Sequence, residues 1–342
     1  MKEIMTPKER VKKAISFSYP DRPPISHAVL PAAQIAYGEE LEEILQSVDE
    51  DFGWSELPDL QPKDFPPQYK TGRNVDAFGT VWYGGKLGIC GIPKEVPLED
   101  LELYKHYQWP DFSVGPPSHR LYSGHVDRSN KKYYARGGWI VYFEQAQQLH
   151  GFNQLMMDLA LGVEQNEAFL QDLLEFNLRY IDKWLEVGYD GLHFADDWGT
   201  QRSLMVSPDL WRKYFKPAYK KMFEKVIYAG VDVHFHSDGQ ISEIIPDLID
   251  IGVKVLNCQV NVIGLDLIKK NYAGKVCFRT DLDRQHVMIF GKPDEVRKHI
   301  REVFTHVGSA AGGVIACGEI GDGTPIKNIR AMYEEFSHFS FN

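Results

Sequence analysis

Cysteine is scarce in this sequence: Cys90, Cys258, Cys277 and Cys317 are the four in 342 residues, far apart and with no Cys-x-x-Cys pair. That excludes a disulfide framework and reads as reduced thiols. No apolar run approaches the ~18 residues a membrane helix needs. A basic stripe is also missing. The formal net charge is -10 and the Lys and Arg are dispersed, which speaks against nucleic acid as partner. No Gly-x-Gly-x-x-Gly follows a strand-like run, so a dinucleotide fold has no support. The opening MKEIMTPKERVKKA is charged and has no apolar segment. We therefore expect no signal peptide and a cytoplasmic protein.

What is present is enough apolar residue, 43%, for one large core. Thr6, Pro7 and Glu9 open a helix as N-cap, first helical residue and N3. Ile25 to Leu30 is a plausible first strand. Residues 54–130 are irregular and rich in Pro, Tyr, Trp and Gly. We read them as an insertion packed on the main body, roofing the site, because so long a structureless loop is uncommon in a compact domain. From Tyr134 onward, strand and helix patterns alternate. Strands are expected at 134–143, 191–195, 231–236, 253–259, 276–280 and 313–317. Helices are expected at 152–161, 166–187, 241–251, 265–272, 293–304 and 325–336, with a further one after Ser207-Pro208 kinked at Pro217. The alternation carries no hairpin signal, so the sheet is parallel. Five units follow residue 190, one clear unit precedes it, and two more fit the first half. The expected fold is α/β: one (β/α)8 TIM barrel over residues 1–342, with an N-terminal helical extension and the insertion.

Polar residues gather where the strands end: Glu144, Asp196, Asp197, His236, Asp238, Gln259, Asp281, Asp283, Cys317 and Glu319. A barrel brings strand ends into one ring, where active sites of that fold are built. In Val231–Gly239, apolar Val231, Val233 and Phe235 alternate with Asp232, His234 and His236, so His236 and Asp238 share the polar face. The plainer reading makes His236 a hydrogen-bonded barrel histidine and Asp238 a helix cap. In Gly191–Asp197, parity puts His193, Ala195 and Asp197 on one face and Leu192, Phe194 and Asp196 on the other. That favours Asp197 facing inward. We expect Asp197, His236 and Glu144 as catalytic residues and Tyr142, His193, Asp196 and Gln259 as substrate-binding ones. His236, Asp238, Cys317 and Glu319 are the expected metal ligands, since zinc takes N, S and O donors and a catalytic site keeps a position open.

At these residues the chain resembles the uroporphyrinogen decarboxylase superfamily. The resemblance rests on Thr6-Pro7-x-Glu9-Arg10-Val11, Asp21-Arg22-Pro23, Ser207-Pro208 with Phe215-x-Pro217, His236-Ser237-Asp238-Gly239 and Thr324-Pro325-Ile326 with Asn328-Ile329 and Ala331-Met332. It implies a (β/α)8 fold. The decarboxylases proper carry paired arginines in the first strand and its loop, and Ile25–Ala36 has none. The chain is more similar to the cobalamin-dependent methyltransferases. That resemblance implies transfer of a methyl group from a small donor, such as a methoxylated aromatic or a methylamine, to cob(I)alamin on a partner corrinoid protein. It also implies zinc on a His-x-Cys pair and a later Cys. Here His236 matches the His and Asp238 stands at the first Cys. The second Cys position falls on Gly318, beside Cys317 and Glu319, so the site implied is oxygen-rich: His236, Asp238 and Glu319. A decarboxylating lyase and a non-catalytic corrinoid or tetrapyrrole binder are the alternatives. A homodimer is left open as the assembly.

Overall fold

The computed structural model describes residues 5–53, 61–111 and 131–341. Its centre is a six-stranded parallel sheet in chain order: β4 Arg136–Ile140, β5 Gly191–Ala195, β6 Asp232–Ser237, β7 Val255–Cys258, β8 Cys277–Arg279 and β9 Val314–Ile315. Every strand pairs with its sequence neighbours, as β/α repeats demand. The register sets Gly191 beside Asp232, Ala195 beside His236, and His236 beside Asn257. Helices bury their apolar stripes on the outer face. The longest, Glu164–Val187, stops at Gly188, whose φ of 83° supplies the left-handed C-terminal turn.

Among the described residues, six of the eight strands expected from sequence form one continuous parallel sheet. Ile25–Leu30 lies parallel to the end of β9 through isolated bridges, Ile25 with Ala316 and Val29 with Ile320. Pro23, Pro24 and Pro31 bracket it and supply no N–H for a longer ladder. Asp51 N donates to Ile25 O at 3.0 Å, and Tyr134 N donates to Asp51 O at 3.1 Å. Single hydrogen bonds therefore run from the β9 edge round toward β4. Helix Pro7–Ile15 sits under this end with the expected Thr6–Glu9 capping box. Val11 and Ile15 pack with Phe52, Tyr134, Val255, Cys277 and Ile315, filling the N-terminal end of the sheet's concave side. Arg10 and Arg22 both pair with fully buried Asp51, and Arg10 also with Asp21. Asp51 Oδ2 accepts the N–H of Ile25 at 2.8 Å, so this ion cluster fixes the first strand segment to the helix.

Within the described part of the insertion, irregularity gives way to an antiparallel sheet of β1 Gly72–Val75, β2 Val81–Gly84 and β3 Ile92–Glu95. The β1–β2 turn escapes a search for two-residue hairpins because Asp76 organises a longer one. Its Oδ1 accepts the N–H groups of Phe78 and Thr80 at 2.9 and 3.0 Å, and its Oδ2 accepts Trp82 Nε1 at 2.8 Å. Residues 54–60 and 112–130 of the expected insertion lie outside the described residues. Among the described residues, no helix is long and apolar enough to cross a membrane.

Candidate functional site

The site forms where β5 and β6 end. Gly199 and Gly239 lie in the loops beyond them, backbone against backbone: a Cβ on Gly239 would stand 2.2 Å from Gly199 C. No other residue fits so close an approach, and Gly239 also has φ of 80°. Gly199 N donates to Asp238 O at 3.1 Å, and Asp238 N donates to Asp197 Oδ1 at 2.8 Å. The paired loops thus set Asp197 and Asp238 on either side of His236. His236 Nε2 lies 3.5 Å from Asp197 Oδ1 and 3.6 Å from Asp238 Oδ1. One ligand atom from each of the three falls within 4.8 Å of the others. Asp238 Oδ1 is buried and has no hydrogen-bond partner among the described residues.

His236 Nδ1 faces Asn257 Oδ1 at 2.8 Å. That oxygen also accepts Arg279 Nη1 at 2.9 Å, while Asn257 Nδ2 donates to Arg279 O at 2.9 Å. The amide is oriented by Arg279, so Nδ1 carries the hydrogen and Nε2 is turned to the two acids. Burial works against a charged imidazole, but Asp197 and Asp238 prevail and lift His236 to about 9. A divalent cation would compete with that proton for the same three atoms.

Glu144 does not end a strand as the sequence reading expects. It lies in the first turn of helix Phe143–His150, which begins three residues after β4. Asp196 holds this helix start. Its fully buried carboxylate accepts Tyr142 N at 2.9 Å, Glu144 N at 2.7 Å and the Tyr219 hydroxyl at 2.6 Å. Glu144 Oε1 accepts Asp197 N at 3.3 Å. Burial first, and then the charges of Asp196 and Asp197, push the Glu144 carboxyl well above the ordinary range and keep it protonated at neutral pH.

A cavity of about 300 Å³ opens at this end of the sheet. Glu144, His193 and His236 line it, together with Arg136, Asn257, Arg279, Trp139 and Glu319. Pro66, Gln68, Tyr69, Trp82 and Cys90 of the insertion cover it, as a roof would. His193 is neutral: burial, then Arg136 and Arg279, drive it well below its ordinary value.

Several expected site residues are placed elsewhere. Asp196 and Tyr142 are buried away from the cavity lining, and the Tyr142 hydroxyl donates to Leu170 O at 2.8 Å. Their places among the substrate-binding residues are therefore corrected to structural ones. Gln259 accepts Gly239 N at 3.0 Å and lines a separate surface hollow with Asp281 and Arg284. It supports the Gly239 turn. The expected metal set contracts too. Arg284 spans Asp238 Oδ2 and Glu319 Oε1, holding Glu319 in an ion pair outside the His236 group. Cys317 is buried, its backbone is tied to Thr280, and burial pushes its thiol up, so it too stands apart from that group. Asp197, expected as catalytic, takes the third position.

Sequence reading missed Arg136, Asn257, Arg279 and Arg284. Parity offered a signal for Asn257 and Arg279, which alternate with Leu256 and Phe278 as His236 does with Phe235. Arg284 follows Asp281 by three residues and carried none.

Comparison with known proteins sets these observations in context. The profile of the uroporphyrinogen decarboxylase (URO-D) family matches residues 141–339. No curated protein sequence matches. Among solved structures, a methyltransferase from Methanosarcina mazei is similar with a TM-score of 0.67 at 16% identity, covering 97% of this chain and 98% of that one. A dihydropteroate synthase from Anaplasma phagocytophilum, with bound 6-hydroxymethylpterin-monophosphate, aligns with a TM-score of 0.34 at 16% identity, over 49% of this chain and 66% of its own.

Proposed function

This chain belongs to the uroporphyrinogen decarboxylase family, and from that premise we propose that it is a methyltransferase moving a methyl group from a small donor to the cob(I)alamin of a partner corrinoid protein. The likeness to the Methanosarcina mazei methyltransferase over nearly both whole chains supports that branch. The observation that carries the reading is chemical. A protonated carboxyl, Glu144, shares one cavity with His236, whose Nε2 sits between two acids.

Breaking a methyl ether or methylamine requires help for the leaving heteroatom. Glu144 holds a proton on Oε2 for it, because Oε1 is occupied by the Asp197 N–H. The methyl–heteroatom bond breaks, methyl passes to Co(I), and the heteroatom leaves with the Glu144 proton. Asp197, His236 and Asp238 fit a divalent cation such as zinc. They offer one N and two O donors, an unpartnered Asp238 Oδ1, and an imidazole whose other nitrogen is fixed by Asn257. When bound, such a cation supplies Lewis-acid polarisation of the leaving atom. His193 stays neutral beside this group and offers no second charge to repel it.

The test is methylcobalamin formation by the purified protein from cob(I)alamin and a panel of methoxyarenes, methylamines and methanol, read by absorbance. Growth of the methylcobalamin spectrum with one donor class is expected. No product across the panel, with a competent corrinoid partner present, overturns the reading. Coproporphyrinogen formed from uroporphyrinogen would replace it with the lyase.

A further inference from the structure

Two arginines stand in the cavity wall, and beyond the bond from Arg279 to Asn257 neither has a task in the chemistry above. Arg136 comes from the first residue of β4, in register with Gly191, which is itself four residues before Ala195, the neighbour of His236. Its side chain nevertheless lines the same cavity as His236, so it reaches up the interior of the sheet. Arg279 enters from β8 and is 8% exposed. Arg136 Nη1 and Arg279 Nε are enclosed and find no hydrogen-bond partner among the described residues. Neither guanidinium is paired with a carboxylate among those residues. Arg136 packs on the Phe52 ring at 5.8 Å, and Arg279 bonds the neutral Asn257. Like charges that share a buried space repel, and Arg136 is pulled down to about 9 by burial and then by Arg279. It remains a cation at neutral pH.

The acids that line the cavity are engaged elsewhere: Glu144 accepts the Asp197 N–H and Glu319 is spent on Arg284. His193 is neutral, and the Cys317 thiol is held protonated by burial. An unpaired buried cation costs several kcal/mol, so two of them mark a place where an anion is taken up. Three aromatic rings, Trp139, Trp82 and Tyr69, share the remaining wall with Val29, Leu30 and Pro66. Trp139 lies tilted against His193 with ring centroids 5.3 Å apart, and the His193 and His236 centroids are 6.4 Å apart. Trp82 and Tyr69 close the space from the insertion.

We infer that the methyl donor is an aromatic acid, its carboxylate bound by Arg136 and Arg279 and its ring lying among Trp139, Trp82 and Tyr69. A planar carboxylate matches the fork of a guanidinium, and a flat ring matches the rest of the wall. A methylammonium donor meets two like charges there and is rejected. The methyl ether on that ring rests on the methyl-transfer reading; the carboxylate rests on the two arginines alone.

Calorimetric titration of the purified protein tests this without turnover, using 4-methoxybenzoate, neutral 4-methoxybenzyl alcohol, tetramethylammonium and inorganic phosphate. The acid is expected to bind at least about 10-fold more tightly than the alcohol, as hydrogen bonds between charged groups imply. Tetramethylammonium should give no heat of binding. Arg136→Gln and Arg279→Gln should each weaken the acid about 10-fold or more, and Arg136→Gln should leave the alcohol unchanged, which a merely structural role would not do. Equal binding of acid and alcohol by the wild-type protein overturns the inference, even if a variant fails to fold. So does phosphate binding as tightly as the acid, or acid affinity unaltered in both variants. Acid binding without methyl transfer sinks the enzymatic reading and leaves the anion site standing. Demethylation of neutral ethers as fast as acids does the reverse.

Discussion

His236 donates its Nδ1 hydrogen to Asn257 at 2.8 Å, and that bond decides which face of the imidazole meets the two acids. Replacing Asn257 with Ala frees the ring to turn and releases Arg279 Nη1 as well. Outer hydrogen bonds of this kind are worth about 10- to 100-fold in metal affinity. We expect Asn257→Ala to lose zinc at a chelator concentration that the wild-type protein tolerates, with Asp197, His236 and Asp238 intact. Unchanged retention in a competition titration would show that Nδ1 does not orient the ligand.

Glu144→Gln keeps the shape of the side chain and removes its proton. Methyl transfer should fall by about 10²- to 10⁴-fold, the usual worth of a positioned acid. The donor form exists below the raised folded value and disappears as pH climbs through it. The wild-type rate should therefore drop on the alkaline side, and the variant should lack that limb. Stability follows the same sign. The native state keeps a proton that the unfolded chain releases near the ordinary 4.5, so this group's contribution is full below 4.5 and is lost as pH rises through the folded value. Glu144→Gln should flatten that decline in thermal melts recorded across the range.

Gly239→Ala drives a methyl carbon into the Gly199 backbone at 2.2 Å and forces a side chain onto φ of 80°. The strain alone is about 1–3 kcal/mol, and the two loops must separate to relieve it. The melting temperature should fall, and metal binding should weaken with it because Asp197 and Asp238 move apart. A variant that melts lower yet holds metal normally would refute the coupling of the loops to the ligands.

Asp51→Asn tests the cluster under the sheet. Two arginines and the Ile25 N–H converge on this buried carboxylate. Removing its charge leaves Arg10 enclosed with Asp21 as its remaining acidic partner. Breaking a buried pair costs about 3–5 kcal/mol, to be read from urea denaturation midpoints.

Strand parity put Asp197 on the face of His193 and Ala195, and the register of β5 against β6 sets those two beside His234 and His236. That much was legible because alternation is a local property of the chain. The reach of Arg136 was not, since a residue at the start of a strand reads as belonging to the opposite end of the sheet. Its position depends on the length of its own side chain, which carries the guanidinium from the start of β4 to the cavity shared with His236. The diversion of Glu319 to Arg284 was equally hidden, because it joins residues 35 apart whose loops meet in space. Tyr142 and Asp196 were misplaced because burial is decided by the helix Phe143–His150 folding over them, and the sequence pattern suggested that the strand ran on through Phe143.

Helix Pro7–Ile15 stoppers the lower end of the molecule with Val11 and Ile15. Among the described residues, the cavity at the other end of the strands is lined in part by Pro66, Tyr69 and Trp82 of the insertion. In the proposed methyl transfer, the small donor is therefore seated beneath the insertion before its macromolecular acceptor docks.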